Sequence, residues 1–69
     1  MTLQPVSSSN IAAIGYDADG QTLTIEFRSG GTYEFYDVPE KVFEGLRTAS
    51  SLGQYFQNNI RGRYRYARL

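Results

Sequence analysis

The chain contains no cysteine and no histidine. Those two absences remove disulfides, thiol nucleophiles, cysteine and mixed Cys/His zinc sites, and every catalytic arrangement in which histidine activates serine or cysteine. No apolar run approaches the ~20 residues of a membrane span. The opening MTLQPVSSSN has neither the charged nor the apolar region of a secretory leader, so the expectation is a cytoplasmic domain. Net charge is lacking too, with seven acids balanced by seven bases. What remains is 69 residues, 41% of them hydrophobic, enough for one small globular domain. A chain of this size buries only about 60% of its unfolded surface.

The zero charge is a cancellation. All seven acids lie between Asp17 and Glu44, and with Arg28 and Lys41 among them that stretch carries −5. From Arg47 onward Arg61, Arg63, Arg65 and Arg68 bring the total to +5, with no acid. Such a basic end either meets an anionic partner or docks on the acidic part of its own fold.

Residues 1–9 read as a loosely ordered lead-in. Asn10 to Tyr16 forms a short strand candidate, and Asp17-Ala18-Asp19-Gly20 a turn with Gly20 free to take positive φ. Thr22 to Arg28 alternates apolar and polar residues, the period of a half-buried strand, and Ser29-Gly30-Gly31 turns the chain into a third strand, Thr32 to Tyr36. A three-residue Ser29-Gly30-Gly31 loop sets Phe27 opposite Tyr33 and Ile25 opposite Phe35, giving one apolar sheet face. It also sets Glu26 opposite Glu34, an unfavourable like-charge pair that calls for a nearby base.

Helical spacing follows. Val42, Phe43 and Leu46 make one apolar stripe behind a capping box of Asp37 and Glu40; Leu52, Tyr55, Phe56 and Ile60 make another behind Ser51 and Gln54, with Gly62 placed to stop it. The expected fold is α+β: a three-stranded antiparallel meander followed by two helices packed on one sheet face, in the order β-β-β-α-α. Residues 1–69 form one domain ending in a basic tail, 63–69. The expected core is Leu23, Ile25, Phe27, Tyr33, Phe35, Val42, Phe43, Leu46, Leu52, Tyr55, Phe56 and Ile60.

The ordered set Val6-x-Ser8-Ser9-x-Ile11, Gly15-Tyr16-Asp17, Leu23-x-Ile25-x-Phe27, Gly31-x-Tyr33-x-Phe35, Val38-Pro39-x-x-Val42, Leu46-x-x-Ala49-x-Ser51-x-Gly53-x-Tyr55-Phe56 and Ile60-x-x-x-Tyr64 resembles the KTSC domain. That small module is named after the C-terminus of some lysyl-tRNA synthetases and also occurs as free-standing bacterial and phage proteins. The resemblance spans about Val6 to Tyr64. The family's central Tyr-x-Tyr stands here as Tyr33-Glu34-Phe35, without the second hydroxyl. The resemblance implies an RNA-binding role as a suggestion, and no catalytic residue.

The residues themselves offer one binding candidate. Arg61, Arg63, Arg65 and Arg68 interleaved with Tyr64 and Tyr66 have the composition that engages phosphates and stacks unpaired bases; Tyr36, expected on the open sheet face, could join them. Alternatively the two tyrosines pack on the domain while the arginines stay solvated or pair with Glu26 and Glu34, a reading favoured by the absence of a strongly basic footprint. Asp17-x-Asp19-Gly20 fails as a calcium loop, because glycine comes too early and position twelve is Arg28. Ser7-Ser8-Ser9 has no histidine to activate it and is expected to brace the first strand. No enzyme, cofactor or metal is expected. The partners implied are RNA, as tRNA or single strand, or else a protein or a second copy of the chain; no membrane is implied.

Overall fold

The computed structural model describes residues 3–69; Met1 and Thr2 of the lead-in lie outside them. Its centre is the expected meander: β2 (Ile11–Asp17), β3 (Thr22–Phe27) and β4 (Gly31–Phe35). Two helices follow, α1 (Glu40–Thr48) and α2 (Leu52–Asn59). The sheet, however, has five strands rather than three. Part of the lead-in forms β1 (Gln4–Pro5) and part of the tail forms β5 (Tyr66–Arg68), giving an antiparallel sheet in the order β1-β2-β3-β4-β5. Both additions are edge strands of two and three residues. Proline in β1 and arginine in β5 suit an edge, where a missing donor or an outward charge does no harm.

The β3–β4 register also differs from expectation. Leu23 lies opposite Phe35, Ile25 opposite Tyr33 and Phe27 opposite Gly31. The loop is again three residues long, but it is Arg28-Ser29-Gly30. Gly30 takes the positive φ, 101°, and its N–H donates to the Phe27 carbonyl. The slip is two residues on the partner strand, so every side chain keeps its face and the apolar face survives. Its chemical consequence is different: Glu26 faces Thr32 and Glu34 faces Thr24, so the acidic pair does not form. In the preceding turn positive φ falls on Gln21 (50°) rather than Gly20. The Asp17 carboxylate accepts there from the Asp19 N–H at 3.1 Å.

Leu23, Ile25, Phe35, Leu46, Leu52, Phe56 and Ile60 are buried as expected, joined by Ile11, Ile14 and Val38. Phe27, Tyr33, Val42, Phe43 and Tyr55 pack half-buried against this cluster. Phe43 of α1 stacks on Tyr16 of β2, and Phe56 of α2 meets the ring edges of Phe27 and Phe35. The helix starts are unequal. Ser51 caps α2 by accepting from the Gln54 N–H, whereas α1 starts at Pro39 with no side-chain cap. Asp37 cannot serve there, because it sits in the left-handed region at φ 59°, turning the chain so that Val38 is buried. The Ser8 hydroxyl accepts from the Asn10 and Ile11 N–H groups, bracing the entry to β2. Among the described residues no helix is long and apolar enough to cross a membrane.

The Tyr16 hydroxyl donates to the carbonyl of buried Val38, tying β2 to the α1 approach. Burial, then the charges of Glu40 and Asp17, raise its pKa above the ordinary 10.0. A folded pKa above the unfolded one contributes stability that is complete below about pH 10 and is lost as pH rises through the folded value. Tyr16→Phe should cost about 1–3 kcal/mol at neutral pH, the penalty of an unpaired buried acceptor. Urea midpoints at neutral and strongly alkaline pH check both points: the deficit of the variant is expected to shrink as the parent's hydroxyl ionises.

Candidate binding groove

Alternation along β5 decides where the basic tail points. Tyr66 lies opposite Phe35 and Arg68 opposite Tyr33, so both project from the helix-bearing face of the sheet; Ala67 faces Glu34 on the other. The helices reach Phe35 but stop short of β5. Tyr66 is left 61% exposed, although its ring centroid lies 5.8 Å from that of Tyr33 and 5.7 Å from that of Phe35. The result is a cavity of about 300 Å³ lined by Phe27, Ser29, Tyr33, Phe35, Phe56, Arg61 and Tyr66. Five of the seven residues are aromatic. Phe27 and Phe56 meet edge to face at 5.4 Å, closing the end under α2.

Two arginines flank this aromatic box. The Arg68 guanidinium carbon lies 5.9 Å from the Tyr33 ring centroid, at the outer limit of a cation–π contact. Arg61, in the turn after α2, lines the cavity directly and donates to the Gln57 side chain at 3.0 Å. Gly31 keeps the corner open. A Cβ there would lie 3.0 Å from the Tyr33 ring and 3.6 Å from the Arg68 guanidinium.

The groove continues beyond the box. A neighbouring cavity of about 520 Å³ shares Phe27, Ser29 and Phe56 with it and reaches Asn10 and Arg28. A third, of about 430 Å³, shares Ser9, Asn10, Arg28 and Gly53 with the second and ends among the hydroxyls of Ser7, Ser8, Ser50 and Ser51. No aspartate or glutamate lines any of the three. Arg28 is braced at the junction, donating to the Ser8 carbonyl at 2.6 Å and the Val6 carbonyl at 3.3 Å.

The candidate residues from the sequence therefore divide. Arg61, Tyr66 and Arg68 come together at the groove. Tyr36 and Arg65 sit on the opposite face, the Arg65 guanidinium carbon 6.0 Å from the Tyr36 ring centroid. Desolvation, followed by the hydrogen bond its hydroxyl donates to Glu34, raises the Tyr36 pKa, with Arg65 opposing. Arg65 also pairs with Asp37 at 3.5 Å, but both side chains are about four-fifths exposed and such a pair adds little stability. Arg63 donates to the Asn58 carbonyl in the last turn of α2, a place where a cation suits both the free carbonyl and the helix dipole. Tyr64 packs half-buried against the core. Among the described residues the ion pairs are Arg65–Asp37 and Arg47–Glu44, so the tail arginines do not neutralise Glu26 or Glu34.

The aromatic half of the groove was missed in sequence because Phe27, Tyr33, Phe35 and Phe56 all read as core. Phe35 and Phe56 are buried; Phe27 and Tyr33 are half-buried and lend an open side to the cavity. The signal that could have found it is the Tyr66-x-Arg68 alternation, which continues the sheet as an edge strand beside Phe35 and Tyr33.

The sequence model of the KTSC domain matches residues 7–64. The chain belongs to the KTSC domain family. The crystal structure of a KTSC domain protein from Yersinia pestis superposes with a TM-score of 0.97 at 41% identity, covering 99% of this chain and 96% of that one. A protein of Tsukamurella paurometabola is 43% identical over 91% of this KTSC domain and 94% of its own length. A lysine–tRNA ligase of Nostoc sp. is 48% identical over 88% of the domain, which spans only 11% of that ligase. The KTSC fold thus occurs both as nearly the whole of small proteins and as a small segment of much larger ones.

Proposed function

We propose that this KTSC domain is a non-catalytic binding module that holds RNA through its C-terminal arginine and tyrosine surface. The observation that carries the reading is the open aromatic groove, flanked by Arg61 and Arg68 and lined by no acid. Arginine forks suit phosphate oxygens, and exposed aromatic rings stack on unpaired bases. Glu26 and Glu34 project from the opposite sheet face, so an RNA backbone in the groove is not repelled by them. Relatives named lysine–tRNA ligase place similar segments in proteins whose names specify a tRNA. The chain's lack of histidine and cysteine supports a role in binding rather than turnover.

A salt titration tests this. The groove arginines Arg61, Arg68 and Arg28 can neutralise about 2–3 phosphates, so affinity for fluorescent single-stranded RNA should fall with a log–log salt slope of roughly −1.4 to −2, with micromolar or weaker binding at physiological salt. A flat salt response, or no binding at low salt, would remove the RNA reading. A protein partner or self-association is the second reading, and β5 favours it: one side of this three-residue edge strand is unpaired, beside exposed Tyr66 and Leu69. Light scattering after size exclusion separates the two, since a dimer whose formation buries Tyr66 supports the second.

A further inference from the structure

The groove is more specific than a basic patch. Five rings, with Ser29 and Arg61, line an open hollow of about 300 Å³, at the small end of ligand pockets and suited to one planar ring system rather than an extended apolar segment. Phe35 and Phe56 form its floor, and Tyr66 stands at the mouth. The positive charge lies at the rim, where Arg68 rides over Tyr33 and Arg61 closes the α2 side. From the box the groove runs without an acid past Ser29 to Arg28. An aromatic floor with cations only at its rim is complementary to a flat, neutral base attached to an anionic backbone. A paired duplex presents no free base face and cannot enter.

Resting on the RNA-binding reading, we propose that this pocket takes one unstacked base of a single-stranded RNA, whose backbone follows the acid-free groove from Arg68 and Arg61 toward Arg28. The domain then prefers single strands to duplex and is tolerant of sequence, because every base offers a face for stacking.

The test compares a single-stranded oligouridylate decamer with an RNA duplex of equal length, using the parent, Tyr66→Ala and Tyr66→Phe. Tyr66→Ala should weaken the single strand about 5- to 150-fold, the loss of one stacking contact, while Tyr66→Phe binds as the parent does. Duplex binding should be weaker in the parent and indifferent to Tyr66→Ala. A folded Tyr66→Ala protein that binds the decamer as the parent does overturns the pocket, yet leaves the RNA reading standing if binding still depends on the arginines. Failure of the parent to bind the decamer at low salt removes both. A second measurement avoids any folding defect of the variant: millimolar adenosine monophosphate should shift the ring resonances of Tyr66 and Phe56 in the parent, whereas ribose 5-phosphate should not. If an acidic phenylalanine-containing peptide moves those resonances and the nucleotide does not, the groove serves a protein ligand and the proposal falls.

Discussion

Replacing Phe35 with alanine is expected to destabilise the domain by about 3–5 kcal/mol. Phe35 is only 4% exposed, lies across the sheet from Leu23, and has ring contacts with Phe56 of α2, Tyr33 of β4 and Tyr66 of β5. Truncation therefore opens a void where α2, β4 and the last strand meet, and collapse cannot fill it without moving all three. A domain of this size has only roughly 3–10 kcal/mol of stability, so the variant should lose a large share of it and unfold at a much lower urea concentration. Phe43→Ala should cost distinctly less, because Phe43 is half-buried and its ring stacks on Tyr16 rather than closing the centre. Urea denaturation of both variants checks the order; equal losses would mean that Phe35 is not the residue joining sheet to α2.

The second large effect concerns charge. Arg61→Gln with Arg68→Gln should weaken single-stranded RNA about tenfold near 0.15 M salt and flatten the salt slope by roughly 1.4, the share of two phosphate contacts. Arg65→Gln should leave both almost unchanged, since Arg65 lies on the opposite face beside Tyr36 and Asp37. Arg63→Gln removes a donor to the last turn of α2, so its effect should appear in thermal stability before it appears in binding. Anisotropy titrations at several salt concentrations, with circular dichroism on each variant, separate these outcomes. Equal loss from Arg65→Gln and from the Arg61/Arg68 pair would mean that net charge, not the groove, governs binding.

The division among these arginines shows where the sequence could be read and where it could not. Strict alternation in Thr22 to Phe27 made the inward set Leu23, Ile25 and Phe27 legible, and the spacing of Leu52, Tyr55, Phe56 and Ile60 did the same for α2. Ser51 declared its helix start because its hydroxyl and the Gln54 N–H are local to one turn. Register was harder. Gly30 and Gly31 are equally permissive in sequence, and only the closed turn shows that Gly30 takes the positive φ while Gly31 gives clearance beside the Tyr33 ring. Asp37 looked like a cap because an Asp followed three residues later by Glu is a common start, but the chain uses it to turn in the left-handed region instead.

The edge strands were illegible for a different reason. Gln4–Pro5 is too short to show a period, and the alternating Arg and Tyr from Arg63 to Arg68 resembles a solvated basic tail as much as a strand. Pairing of β5 with β4 is what turns Tyr66 and Arg68 toward Tyr33, and that depends on α1 and α2 returning the chain to the sheet edge. The backbone bond from the Tyr36 N–H to the Arg65 carbonyl, at 2.9 Å, marks that return. Half of the candidate site was therefore visible as composition, while its position and its aromatic half emerge only from this long-range pairing.

The most direct measurement of the central claim is a backbone and side-chain NMR titration of the parent protein with single-stranded RNA at low salt. Saturable shifts are expected on one side of the molecule only, at Phe27, Ser29, Tyr33, Phe56, Arg61, Tyr66 and Arg68, with quiet signals from Thr24, Glu26, Glu34 and Tyr36. Shifts centred on Tyr36 and Arg65, or an unchanged spectrum at millimolar RNA, would contradict that claim.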